Sequence, residues 1–256
     1  MLRQRILSAL VLGPVALAAA WFGGWAFVAM VAVATALMGW EWSRMCHGRF
    51  GPGGMVLSGG CTLAVLLALW VPALSIVLII VAAIAAPVVE RRPDRSPLWL
   101  AFGAFYTGLP ALSLIFVREH EPIMLFWLFL LVWATDIGAY AAGRSIGGPK
   151  LMPKVSPKKT WAGLIGGIVS AAVVGAGVAY WDHGENSYIL FLTLYSAFLA
   201  LVAQAGDLGE SWVKRRFGVK DSSNIIPGHG GVLDRVDGFL TTAPVVAFVY
   251  LAANGW

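Results

Sequence analysis

Residues 73–89 read ALSIVLIIVAAIAAPVV, an uncharged run in which almost every side chain is apolar. A helix of about 20 such residues crosses the hydrocarbon core of a bilayer, so this run predicts a membrane-spanning helix. Comparable runs lie on both sides of it. We place spans at 6–22, 25–42, 55–71, 73–89, 97–117, 122–143, 161–181, 187–206 and 238–254.

Composition supports the same fold class. The chain has 256 residues, of which 59% are hydrophobic and 12% charged, whereas about 25% of residues are charged in a soluble domain. The two cysteines, Cys46 and Cys61, fit neither a disulfide framework nor a metal site. We therefore predict an all-α, polytopic transmembrane helical protein with about nine spans.

The positions of the basic residues predict an orientation. If the N-terminus is cytoplasmic, nine spans place every one of the 18 lysines and arginines except Arg118 on the cytoplasmic side, as the positive-inside rule requires. This distribution also argues against nucleic acid as a partner, because no basic face carries interleaved aromatic residues. We expect residues 1–121 to form a scaffold of spans. Residues 122–256 should form the catalytic region, with cytoplasmic loops at 144–160 and 207–237.

Asp136 lies inside the sixth predicted span, near its cytoplasmic end. Tyr140 and Arg144 follow at intervals of four residues, so the three side chains should share one helix face. A carboxylate inside a span costs several kcal/mol unless it faces a partner or a wet cavity. We favour a functional role for Asp136, and a structural ion pair with Arg144 is the alternative.

A lysine-rich segment, KVSPKKTW at 154–161, precedes the seventh span. Pro157 and the hydroxyl residues predict a loop that leads into the helix. Lys158 and Lys159 could hold an anion beside the free N–H groups of the helix start. Alternatively, the lysines set the topology or contact anionic headgroups.

The segment 204–237 reads QAGDLGESWVKRRFGVKDSSNIIPGHGGVLDRVD and concentrates polar chemistry. Its carboxylates and interleaved cations suit Mg²⁺ and phosphate oxygens, because Mg²⁺ binds one or two carboxylates together with substrate phosphates. The loop around His229 is rich in glycine and can bring backbone N–H groups close to an anion. Walker A, GxGxxG and HExxH sequences are all missing. The carboxylates are Asp207, Glu210, Asp221, Asp234 and Asp237, and the cations are Lys214, Arg215, Arg216, Lys220 and Arg235.

Residues 211–237 resemble the signature of the phosphatidate cytidylyltransferase family, also called CDP-diacylglycerol synthases. The similarity extends over about 134–237, and Ala162 departs from it because the family usually has Glu there. The residues that carry the resemblance are Ser211, Lys214, Arg215, Lys220, Asp221, Pro227, His229, Gly230, Gly231, Asp234, Arg235 and Asp237, together with the motifs around Asp136, Ser156–Thr160 and Asp207.

The resemblance implies that CTP and phosphatidic acid react to give CDP-diacylglycerol and pyrophosphate. It also implies a homodimer and a second, monovalent cation such as K⁺ in addition to Mg²⁺. We expect a bacterial inner membrane because the chain is compact, and the predicted orientation places the site on the cytoplasmic side. We expect Asp207 and Asp234 to lead the metal ligands, with Asp221 and Asp136 as further candidates. The expected ligands for phosphates and substrates are Lys158, Lys159, Lys214, Arg215, Lys220, Arg235, His229, Gly230, Gly231, Ser156, Thr160, Ser211, Arg144 and Tyr140.

Two other readings stay open at this point. A CTP-dependent polyprenol kinase or an ether-lipid cytidylyltransferase would share the metal and phosphate groups. An ion-coupled transporter would use Asp136 in its pathway, but such proteins often show inverted repeats and paired broken helices. The sequence shows neither feature, and its polar residues collect at one membrane face.

Overall fold

The computed structural model describes residues 2–90, 95–182 and 184–254, with the side chains from Leu10 onward. Nine helices and one short hairpin form within this part of the chain. The helices are α1 (Leu2–Phe22), α2 (Gly24–His47), α3 (Pro52–Leu67), α4 (Pro72–Val89), α5 (Leu98–His120), α6 (Pro122–Ser145), α7 (Trp161–Asp182), α8 (Asn186–Arg216) and α9 (Leu233–Asn254). Strands β1 (Lys150–Met152) and β2 (Ser156–Thr160) pair antiparallel between α6 and α7.

Each predicted span coincides with a helix, which confirms an all-α polytopic membrane protein. Seven of the described helices are long and apolar enough to cross a membrane. The 16-residue α3 is shorter, as is Leu10–Phe22, the described apolar part of α1. Nine crossings and a cytoplasmic N-terminus therefore stay predictions.

The polar segments are more ordered than the sequence indicated. We expected a loop from 207, but α8 continues through Asp207 to Arg216, and α9 already begins at Leu233. The expected loop at 144–160 contains the hairpin, in which Lys150 pairs with Thr160. The apolar span ends near 206, whereas the backbone hydrogen bonding of a helix does not require apolar side chains and continues beyond it.

The chain divides into two compact units. The first unit contains residues 1–122, 216–236 and 243–256. Its core includes the fully buried Trp42 of α2, whose indole Nε1–H donates to the carbonyl oxygen of Trp99 at 2.7 Å. Phe217 packs edge-on against Trp99, with ring centroids 5.2 Å apart. An aromatic contact with α5 therefore holds the start of the polar segment 216–236 in place.

The second unit contains residues 123–215 and 237–242. Small residues let its helices approach closely, as is usual between membrane helices. A Cβ at Gly166 would meet the carbonyl oxygen of Gly138 at 2.8 Å, so α6 and α7 nearly touch along their backbones. Between α6 and α8, Trp127 Nε1–H donates to Ser196 Oγ at 3.0 Å.

Candidate active site

A polar cavity of about 340 Å³ lies in the second unit, between α6, β2, α7 and α8. One face of α6 contributes Asp136, Tyr140 and Arg144, which confirms that these three side chains share a face. The residues that complete the lining include Lys158, Lys159, Thr160, Gln204 and Asp207. The lysine-rich segment, the first residues of the segment 204–237 and Asp136 therefore line one cavity.

The hairpin determines where the lysines lie. Strand β2 ends at Thr160, whose hydroxyl oxygen accepts the backbone N–H of Gly163 at 3.0 Å and caps the start of α7. The Trp161 N–H donates to the carbonyl oxygen of Pro149 at 3.1 Å, which ties this helix start to the chain just before β1. Lys158 and Lys159 are consequently held beside a capped helix start, and Thr160 lines the cavity while it serves as that cap.

Opposite charges meet inside the cavity. Lys159 Nζ lies 2.5 Å from Asp207 Oδ2, and the two side chains are 19% and 28% exposed. Ser211 Oγ donates to Asp207 Oδ1 at 3.4 Å. Lys158 and Arg144 form no ion pair with any residue that the structure describes. The cavity therefore offers cationic groups that are available to a polyanion, next to a carboxylate.

Four carboxylates of the second unit interact electrostatically. The negative charges of Asp207, Glu210 and Asp136 all act on Asp237. Glu210 is neutralised by Lys214, whose Nζ lies 3.0 Å away in a buried pair. Asp237 accepts the backbone N–H of Gly238 at 2.8 Å, which offsets little of this negative charge. Such a group of carboxylates is favourable for a bound cation.

The carboxylates of this site fit a Mg²⁺ ion that takes only some of its ligands from the protein. Within the described ranges, no three His, Cys, Asp or Glu side chains converge tightly enough to hold a metal by themselves. Mg²⁺ usually keeps water and substrate phosphates among its ligands and needs only one or two carboxylates from the protein. Asp207 and Asp237 are carboxylates that could bind such an ion, and Asp237 was not among the metal ligands expected from the sequence.

Asp234 lies in the first unit, in the first turn of α9, and its Oδ2 organises the preceding loop. This oxygen accepts hydrogen bonds from Ser222 N–H at 2.9 Å, Ser222 Oγ at 2.9 Å and Gly231 N–H at 2.8 Å. The Gly231 N–H that we expected to face a substrate anion thus donates to a carboxylate of the protein itself.

The glycine-rich loop is a tight turn. The Ile226 N–H donates to the carbonyl oxygen of Gly230, and the His229 N–H donates back to that of Ile226, both at 2.9 Å. Gly228 and Gly230 adopt φ angles of 77° and 87°, which disfavour any side chain. A Cβ at Gly230 would also lie 2.7 Å from Asp234 Oδ2. The turn places His229 and the Asp234 carboxylate in one short segment.

The remaining expected site residues fall outside the cavity lining. Ser156 pairs with Met152 in the hairpin, and Lys214 is buried against Glu210. Arg215, Lys220, Asp221 and Arg235 have exposed side chains. Nothing in these positions tests the roles expected for them.

One functional candidate, Glu41 in α2, was missed from the sequence. Its fully buried carboxylate accepts hydrogen bonds from residues of the segment 222–233. A charged residue near the end of an apolar span was the available signal, since the same argument selected Asp136.

Known proteins are similar to this chain over most of its length. Residues 3–253 match the Cytidylyltransferase family. A protein of Brucella suis biovar 1 (strain 1330), named phosphatidate cytidylyltransferase, is 40% identical over 261 residues, which cover 98% of this chain and 92% of that relative. A Pseudomonas aeruginosa protein of the same name is 35% identical over 274 residues, covering 100% and 99%. One from Rickettsia bellii is 41% identical over 207 residues, covering 77% and 87%.

The apolar helices and the charged cavity define an integral membrane protein with a polar site built from lysine, arginine and carboxylate side chains. The match over almost the whole length shows that the chain belongs to the Cytidylyltransferase family.

Proposed function

We propose that this protein is a phosphatidate cytidylyltransferase, which converts CTP and phosphatidic acid to CDP-diacylglycerol and pyrophosphate. The observation that carries the proposal is the cavity that Lys158, Lys159, Arg144 and Asp207 line together. Relatives named phosphatidate cytidylyltransferase, at 35% to 40% identity over nearly the full length, support it.

The reaction needs little covalent chemistry from the protein. Phosphatidate already carries an anionic oxygen at neutral pH, which attacks the α-phosphorus of CTP, and pyrophosphate leaves. The enzyme must bring two polyanions together and stabilise the charge of the transition state. Lys158, Lys159 and Arg144 would bind phosphate oxygens, and no protein nucleophile is required.

Mg²⁺ is the cation that this donor set suits. Asp207 and Asp237 are its proposed ligands in the second unit, with Asp136 as a further candidate, and Asp234 and Asp221 are the candidates in the first unit. When bound, the ion would neutralise negative charge on the phosphates. Asp207 would also hold Lys159 in the cavity, as the ion pair between them indicates. A monovalent cation such as K⁺ stays part of the proposal.

The proposed setting is a bacterial inner membrane, with the site facing the cytoplasm and the protein acting as a homodimer. The bacterial relatives support a bacterial origin. The distribution of the basic residues supports nine spans with a cytoplasmic N-terminus. A lipid substrate would then reach the site from the inner leaflet.

A transfer assay tests this function. Purified protein is incubated with CTP, Mg²⁺ and a panel of lipid phosphates that includes phosphatidate, an ether-lipid phosphate and a polyprenyl phosphate. We expect Mg²⁺-dependent formation of CDP-diacylglycerol from phosphatidate, with slower turnover of the other lipids. Preferential turnover of another member of the panel would reassign the substrate.

A further inference from the structure

Glu41 is a buried glutamate. Residues 222–233, which belong to the signature segment 211–237, donate hydrogen bonds to both of its carboxylate oxygens. Oε1 accepts hydrogen bonds from Ser223 Oγ at 2.6 Å and Val232 N–H at 2.8 Å. Oε2 accepts them from Leu233 N–H at 2.8 Å and Ser222 Oγ at 3.2 Å. The side chain is 0% exposed, so no water replaces these donors, and α2 is joined directly to residues 222–233.

Two of these donors are the backbone N–H groups at the start of α9. Val232 precedes the helix, and Leu233 is its first residue. N–H groups at this end have no partner within the helix, and the helix dipole favours a negative charge there. Glu41 supplies that charge from a distant part of the sequence. The N-terminus of α9, which could otherwise bind a substrate phosphate, is occupied by a carboxylate of the protein.

The hydroxyl of Ser222 links Glu41 to Asp234. Ser222 Oγ lies 3.2 Å from Glu41 Oε2 and 2.9 Å from Asp234 Oδ2. A hydroxyl has one proton to donate, so the two carboxylates share a single donor. Any displacement of Glu41 will therefore change the position or the hydrogen bonding of Asp234.

Gly231 shows how tightly this arrangement is packed. A Cβ at this position would lie closer to Ser222 Oγ and Glu41 Oε1 than van der Waals contact permits. The glycine therefore leaves room for Glu41, while its N–H donates to Asp234.

We propose that Glu41 is a positioning residue for the proposed cytidylyl transfer, acting through Ser222 and the first turn of α9 to fix the Asp234 carboxylate. The inference rests on the proposed function. Glu41 is buried and saturated by protein donors, so it contacts neither substrate. It should influence the rate of the chemical step more than the binding of CTP.

The kinetic test compares Glu41→Gln with Glu90→Gln. The glutamine keeps the shape of Glu41 but replaces one accepting oxygen by an NH₂ group. That group is a donor, so it repels the protein donors that bonded to the lost oxygen. Glu90 is a matched control, because it is also buried and its carboxylate accepts the N–H of Gly53 at 3.1 Å near the start of α3. For protein that elutes as a single folded species, we expect kcat to fall about 10- to 100-fold in Glu41→Gln. KM for CTP should change by less than about threefold, because Glu41 makes no contact with CTP and the binding of CTP is therefore preserved.

Glu90→Gln should keep kcat within about twofold of the parent protein, even where its thermal stability falls. An equal loss of kcat in both variants would overturn the proposal in favour of general destabilisation. Unchanged kcat in Glu41→Gln would overturn it as well.

Hydrogen exchange gives a readout that does not depend on activity. Peptides that cover residues 222–233 should exchange about 10-fold faster in Glu41→Gln than in the parent protein, because one of the two amides, Val232 or Leu233, loses its acceptor and faces an NH₂ group instead. Unchanged exchange there would refute the positioning role. If the parent protein transfers no cytidylyl group, the proposed function fails, whereas the exchange result still decides whether Glu41 fixes this segment.

Discussion

Lys159 of strand β2 and Asp207 of helix α8 form an ion pair of 2.5 Å inside the cavity of the second unit. Lys159 Nζ itself is buried, whereas the Asp207 side chain is 28% exposed, so solvent reaches the pair from the carboxylate side. A phosphate could replace Asp207 as the partner of Lys159, and a cation could replace Lys159 as the partner of Asp207. The pair therefore holds an ammonium group that could bind a phosphate next to a carboxylate that could bind a cation.

Substitutions at this pair should separate the two roles. Asp207→Asn should lower kcat about 100-fold or more, because a proposed ligand of the charge-neutralising Mg²⁺ is lost. Lys159→Gln should raise KM for CTP about 10-fold, since a phosphate contact worth roughly 1.4 kcal/mol disappears. Steady-state kinetics on detergent-solubilised protein measures both constants. Lys154→Gln, an exposed change in the same hairpin segment, is the control and should behave like the parent protein.

Asp237→Asn should have opposite effects on stability and activity. The charges of Asp207, Glu210 and Asp136 act on this residue, so a neutral side chain relieves repulsion in the metal-free protein. We expect the Tm without Mg²⁺ to equal or exceed that of the parent, while activity falls about 100-fold. Mg²⁺ should raise the Tm of the parent protein more than that of the variant. A variant with full activity and an undiminished Mg²⁺ effect would remove Asp237 from the metal site.

The fold was predictable because hydropathy is a strong local signal. Every expected span coincides with a helix, and the largest boundary shifts, at the end of α8 and the start of α9, lie in polar stretches. Asp207 and Lys214 lie on the continuation of α8, where helical hydrogen bonding persists after the apolar run has ended. Periodicity placed Asp136, Tyr140 and Arg144 on one face, and the structure confirms that they line one cavity.

The contacts made by Glu41 were not predictable in the same way. Its acceptor role depends on residues about 180 to 190 positions later in the chain, and no local pattern encodes that pairing. The glycine loop was recognised as unusual, but the partner of its N–H groups was not. A nearby carboxylate of the protein satisfies the Gly231 N–H, and a single sequence cannot distinguish this acceptor from a substrate phosphate.

Gly231→Ala should disrupt the signature segment. The added methyl group overlaps Ser222 Oγ and Glu41 Oε1, so these groups must move, at a cost of about 1–3 kcal/mol. We expect a lower Tm and a large loss of activity. Gly59→Ala in α3 is the matched control, because its new methyl group would have no neighbouring atom within 4 Å. Equal activity of the two variants would contradict the packing described around Glu41.

The nine-span topology predicts opposite sides for two accessible positions. Asp182→Cys, at the end of α7, should react with a membrane-impermeant thiol reagent from outside the cell. Asn224→Cys should react only after the membrane is opened. The natural Cys46 and Cys61 are buried, so background labelling should be low. Reaction of both new cysteines from the same side would contradict this topology.

The most direct test of the proposed chemistry follows phosphorus from CTP. Protein, Mg²⁺ and phosphatidate are incubated with CTP labelled at either the α- or the γ-phosphorus, and lipid, pyrophosphate and protein fractions are separated. Direct attack of the lipid phosphate on the α-phosphorus predicts that the α-label enters the lipid and that the γ-label leaves in pyrophosphate, with none bound to the protein. Stable γ-label in the lipid would instead identify a kinase, and α-label trapped on the protein without phosphatidate would contradict direct attack.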